Sequence, residues 1–264
     1  MQSQAARVGL ERGRARGGAS RATDRAPVEV APPDPTPSRW RFWPVLLSAV
    51  LAFLLANIAV LVAGRLFAIP IGHLDQLAPE QIAILTAAQD LTLGLGLILL
   101  LGAWPKLHPV DLGVTAPIRA RLGIAAGVAL WGLSIVIANA QAAVIGSHPQ
   151  SLIVAAAAHR SLPGLVVDLI FGAGVVGVVE ELFFRVVLFG LLRQRMRFAY
   201  AAVLSSALFA LAHEISAWLP VFVLGFGLAL LYEKRRSLWT NALAHGTLNA
   251  ISFLLLFLLP DLGS

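Results

Sequence analysis

Residues 178–187 read VVEELFFRVV, two adjacent glutamates and an arginine inside an otherwise apolar run. Read as part of a soluble core, three charges in six residues would break the hydrophobic stripe. Read as part of a membrane helix, they are a functional signal, because ionisable groups in spans are costly and seldom incidental. The rest of the chain decides for the membrane. Hydrophobic residues make up 58% and charged residues 13%, about half the charged share of a soluble domain, and mean hydropathy is +0.80. The absence of cysteine excludes disulfides, thiolate nucleophiles and cysteine-ligated metals.

Working outward, apolar runs of membrane-spanning length are expected at about 43–64, 81–103, 121–145, 163–192, 198–213, 217–233 and 238–259. The fold class is therefore all-α, a polytopic bundle of seven transmembrane helices, or eight if the fourth run breaks at Gly174 or Gly177. The organisation expected is a basic disordered cytoplasmic tail at 1–41, N-terminal transmembrane helices at 42–162, and a transmembrane core at 163–259. The tail is rich in Arg, Ala, Gly and Pro, with too few apolar residues to fold alone. Basic residues fix the orientation. With the N-terminus cytoplasmic, 17 of the 20 Lys and Arg fall inside, only Arg65 and Arg160 fall outside, and Arg185 lies within a span. The net charge of +6 thus reads as topology and contact with the lipid bilayer rather than nucleic-acid binding. The setting expected is an integral protein of a bacterial inner membrane.

Four acids fall within the spans: Asp90, Asp168, Glu180 and Glu181. Asp90 and Asp168 have no basic neighbour in sequence and read mainly as structural. Glu181 and Arg185, four residues apart, lie one above the other on a helix and can pair. Glu180 is rotated about 100° from Glu181 and is expected to face a cavity. On later spans, SSALFALAH puts Phe209 and His213 on one face, and LAHGTLN does the same for His245 and Asn249. Counted from the helix ends, these side chains reach overlapping depths and can meet in one intramembrane cavity. Other intramembrane chemistries lack their motifs. His213-Glu214 begins like HExxH, but Ala217 stands where the second histidine belongs. Gly94-Leu95-Gly96 and Gly225-Phe226-Gly227 lack the aspartate of a GxGD site, and Gly132-Leu133-Ser134 lacks the glycine of GxSG.

EELFFR (Glu180, Glu181, Arg185), FALAH (Phe209, His213) and HGTLN (His245, Asn249), in this order on separate spans, resemble the three motifs of the CAAX protease and bacteriocin-processing family of intramembrane proteases. The resemblance covers roughly residues 163–253. One departure is Val186, where many members carry glycine after the arginine. The resemblance implies hydrolysis of a peptide bond in a membrane-associated protein or peptide. Glu180, His213, His245 and Asn249 would be catalytic, with Glu181, Arg185 and Phe209 supporting them. Glu180 would activate water as general base, and His213 would orient it. His245 and Asn249 would donate to the oxyanion. The same Glu180, His213 and His245 could instead be three zinc ligands with water in the fourth position. The sequence leaves both open, with the metal-free route favoured. The alternative function is a non-enzymatic membrane scaffold or bacteriocin-immunity protein on the same fold. The sequence does not indicate the substrate's identity or the oligomeric state.

Overall fold

The computed structural model describes residues 40–259 apart from 147–149 and 159. The expected tail at 1–41 therefore lies outside the described residues, save Trp40 and Arg41. Among the described residues the chain is helical, without strands. The helices are α1 Phe42–Leu66, α2 Pro79–Ala103, α3 Ala120–Ile145, α4 Ser151–Ala158, α5 Leu162–Arg193, α6 Phe198–Leu211, α7 Trp218–Arg235 and α8 Leu238–Leu258. Six helical stretches, α1, α2, α3, α5, α7 with its preceding turn, and α8, are long and apolar enough to cross a membrane. The chain is an integral membrane protein.

Local sequence sets several helix ends. Ser161 caps α5, its Oγ accepting from the Gly164 amide at 3.1 Å. Ser237 caps α8, accepting from Thr240 at 3.3 Å. Both satisfy amides that have no intrahelical acceptor. Pro79 opens α2, where a missing N–H costs nothing. Lys234 and Arg235 close α7, and Arg236 follows in the left-handed conformation.

One alternative is decided and one expectation is corrected. The fourth run does not break at Gly174 or Gly177. It is one helix of 32 residues, widened to π geometry over Asp168–Val175 and again over Glu181–Phe189. Such widening keeps the helix continuous while re-aiming side chains, and it recurs at functional sites. The fifth run ends early. α6 has 14 residues, about 21 Å at 1.5 Å per residue, against a hydrocarbon core of about 30 Å. His213 therefore lies in the non-helical segment between α6 and α7, not on the helix.

α8 is the centre of the bundle. On one side it meets α5 with almost no side chain between them. A Cβ on Gly246 would come within 2.8 Å of the Ala173 carbonyl, and one on Gly177 within 3.2 Å of the Gly246 amide and the Ala242 carbonyl. On the other side α3 approaches as closely. A Cβ on Gly127 would lie 2.5 Å from the Ala244 carbonyl, and one on Gly123 would lie 2.9 Å from that of Thr240. Small residues at a crossing let backbones touch, which is how membrane helices gain packing energy without a hydrophobic drive. Both crossings bracket His245. The aromatic core beside them is built from Phe183, Phe184 and Phe209, with edge-on contacts of 4.9 Å between successive rings.

Candidate active site

The α5–α8 crossing brings the two glutamates onto one histidine. His245 Nδ1 lies 3.0 Å from Glu181 Oε1, and His245 Nε2 lies 3.7 Å from Glu180 Oε2. A carboxylate only accepts, so the Nδ1 nitrogen donates to Glu181 and its Nε2 edge is turned to Glu180. The sequence places Glu180 and Glu181 on different faces. The tertiary structure lets both reach one imidazole from its two edges.

The two acids differ in what surrounds them. Glu181 is fully buried and fully engaged. Arg185 Nη1 stands 3.3 Å from its Oε1, and Asn241 Nδ2 donates to its Oε2 at 3.0 Å. Asn241 also donates to the Leu228 carbonyl at 2.8 Å, tying α8 to α7. Arg185, 1% exposed, lays its guanidinium over the Phe209 ring at 4.1 Å, a cation–π contact that strengthens where water is excluded. Glu180 keeps 19% of its side chain exposed, and its Oε2 has no hydrogen-bond partner among the described residues. That oxygen is itself buried and faces His245 Nε2 at 3.7 Å, so the exposed part of the Glu180 side chain lies elsewhere, whereas both oxygens of Glu181 are taken up.

Phe209 links the second histidine to the first. Its ring meets His213 at 4.7 Å and His245 at 5.9 Å. His213 Nδ1 lies 2.8 Å from the Phe209 carbonyl. A carbonyl only accepts, so Nδ1 carries the proton and, in the neutral ring, Nε2 is the acceptor. Asn249 follows His245 by one turn and donates from Nδ2 to the Gly172 carbonyl at 2.8 Å. That bond braces α8 against the first widened segment of α5 and leaves one amide hydrogen of Asn249 for another acceptor.

Of the residues expected in the site, Glu180, Glu181, Arg185, Phe209 and His245 form one contact group. His213 joins it through Phe209, and Asn249 stands beside it, held to α5. Asn241 was missed. Its signal was present as a polar residue four positions before His245, which extends the polar stripe of α8 to Asn241, His245 and Asn249. Of the other intramembrane acids, Asp90 is buried on α2, and Asp168 lines a shallow cavity with Arg160, Ser161 and Phe253.

Zinc is the metal the motifs would imply. Among the described residues no three His, Asp or Glu side chains are grouped as a metal site requires. His245 turns its nitrogens to the two carboxylates, and His213 commits Nδ1 to a carbonyl. As placed, Glu180, His213 and His245 do not make a ligand set.

Residues 162–251 match the family described as type II CAAX prenyl endopeptidase Rce1-like. The chain is also similar to the "Putative membrane peptidase YdiL" of Bacillus subtilis (strain 168), 31% identical over 83 residues. That match spans 31% of this chain and 34% of the relative's length. No solved structure matches. The matched segment begins at α5 and ends within α8, so it holds Glu180, Glu181, Arg185, Phe209, His213, Asn241, His245 and Asn249 together, and it is over this third of the chain that the similarity to membrane peptidases runs.

Proposed function

We propose that the chain is an intramembrane endopeptidase that hydrolyses a peptide bond of a membrane-associated protein or peptide, with Glu180 activating the water. One observation carries the reading. Of two adjacent acids, the buried Glu181 is consumed by Arg185, His245 and Asn241, while the half-buried Glu180 has no hydrogen bond at Oε2 and only the His245 ring beside it. The CAAX prenyl substrate that the family description names is the substrate class to try first.

In the proposed step Glu180 takes a proton from water as the water oxygen bonds to the carbonyl carbon. The oxyanion so formed receives the remaining amide hydrogen of Asn249. His213 Nε2 accepts from the same water and aims it. His245, anchored by Glu181, holds the Glu180 carboxylate in place and shares its proton. That proton then passes to the leaving nitrogen as the C–N bond breaks, giving a carboxylic acid and an amine. No step is routed through a metal.

The test compares protein termini in membranes from cells carrying wild type or Glu180→Gln at equal abundance. New termini seen only with wild type support the peptidase. Losing a general base costs roughly 100–10,000-fold in rate, so Glu180→Gln should abolish them while the protein stays folded. Identical termini with both proteins folded would move the reading to a scaffold or immunity role. Cleavage lost on chelation and restored by zinc would overturn the metal-free step.

A further inference from the structure

His213 stands two residues beyond the end of α6, on the connection to α7. The carbonyls and side chains of such a connection lack the regular partners of a helix interior. The segment 212–217 is satisfied from three sides. Trp218 Nε1 donates to the His213 carbonyl at 3.0 Å. Gln141 Nε2 of α3 donates to the Ser216 carbonyl at 2.6 Å. The two oxygens of Glu214, the residue after His213, accept from the Ser151 amide at 3.1 and 3.0 Å. Ser151 is the first residue of α4, so its amide has no acceptor within that helix, and an anion there is further favoured by the helix dipole.

Two of these three ties come from α3 and α4, outside the segment 162–251 that carries the site motifs. From this geometry we infer that Glu214 is a positioning residue: by binding the start of α4 it fixes the 212–217 segment so that His213 keeps its Nδ1 on the Phe209 carbonyl and its Nε2 toward the reacting water. Residues ahead of the matched segment thereby set the orientation of one site residue. The inference rests on the peptidase reading for its consequence, but not for its structural content.

The experiment uses the full chain in lipid nanodiscs with ¹⁵N-labelled histidine, the His213 ring signals being assigned by loss in His213→Gln. Wild type should show His213 in one tautomer with the proton on Nδ1. Glu214→Ala should average the two tautomers. Glu214→Gln, which keeps a side-chain oxygen for the Ser151 amide, should restore the wild-type signal. Ser151→Pro removes that amide at a helix position where proline is well tolerated, and should reproduce Glu214→Ala without altering Glu214. On peptide cleavage, a misplacement of about 1 Å costs on the order of 100-fold. Glu214→Ala and Ser151→Pro should therefore lower kcat by about that factor with KM little changed. Unchanged His213 signals in Glu214→Ala and Ser151→Pro would overturn the inference. Identical membrane termini from wild type and Glu180→Gln would instead overturn the peptidase reading, with the His213 signals still deciding the role of Glu214.

Discussion

Two regions carry site histidines and hold them by different physics. On α8, Asn241, His245 and Asn249 recur every fourth residue, so the helix places them on one stripe, and glycine contacts press that stripe against α5. Between α6 and α7, His213 stands on a connection outside any α-helix, and the Gln141 side chain of α3, the Trp218 side chain of α7 and the Ser151 amide at the start of α4, bound by Glu214, determine its course. A helix-borne residue depends on how two helices approach. A loop-borne residue depends on individual distant hydrogen bonds. Damage to the first should be thermodynamic, and damage to the second mainly kinetic.

The sharpest way to break the helical side of this comparison is Arg185→Ala. It strands the Glu181 carboxylate in a fully buried site, and removing one partner of a buried pair costs about 3–5 kcal/mol. Thermal unfolding in detergent should show a large drop, with Arg185→Lys recovering part of it. Lysine supplies the charge but not the flat contact with Phe209. Wild-type stability in Arg185→Ala would show that Glu181 does not need the pair.

Next in size is Gly246→Val. Its new side chain meets the Ala173 carbonyl, and overpacking of this kind costs about 1–3 kcal/mol. The same shift moves His245 off Glu181, so stability and cleavage should fall together. A stable variant that has lost cleavage would mean that the crossing positions the site without holding the bundle.

The smallest stability effect is expected on the loop side. Gln141→Ala removes one hydrogen bond, and interhelical bonds of this kind average about 0.6 kcal/mol in membranes. Unfolding should barely change, while cleavage falls clearly because the Ser216 carbonyl is released. Equal losses of stability and cleavage would erase the distinction between the two regions.

The spans were legible because long apolar runs have few alternatives, and Glu181–Arg185 because four residues on a helix are neighbours. The end of α6 was not. FALAH continues the apolar pattern without a glycine or proline to stop it, and the helix ends because the following carbonyls find partners on other elements. The closeness of α5 and α8 was equally hidden. Gly177 and Gly246 are two glycines among 23, and only their mutual contact marks them.

By itself the sequence determined a membrane bundle and the residues from which the site is made, because hydropathy and helical spacing are local properties. The spacing already paired Glu181 with Arg185; only the tertiary structure decided which further partners each glutamate meets. Glu180 and Glu181 are the same residue type side by side, and α8 brings different groups against them: Asn241 and the Nδ1 edge of His245 for Glu181, the Nε2 edge of His245 alone for Glu180. The widened turns of α5 and the position of His213 were decided the same way, since buried polar groups settle where distant partners can satisfy them.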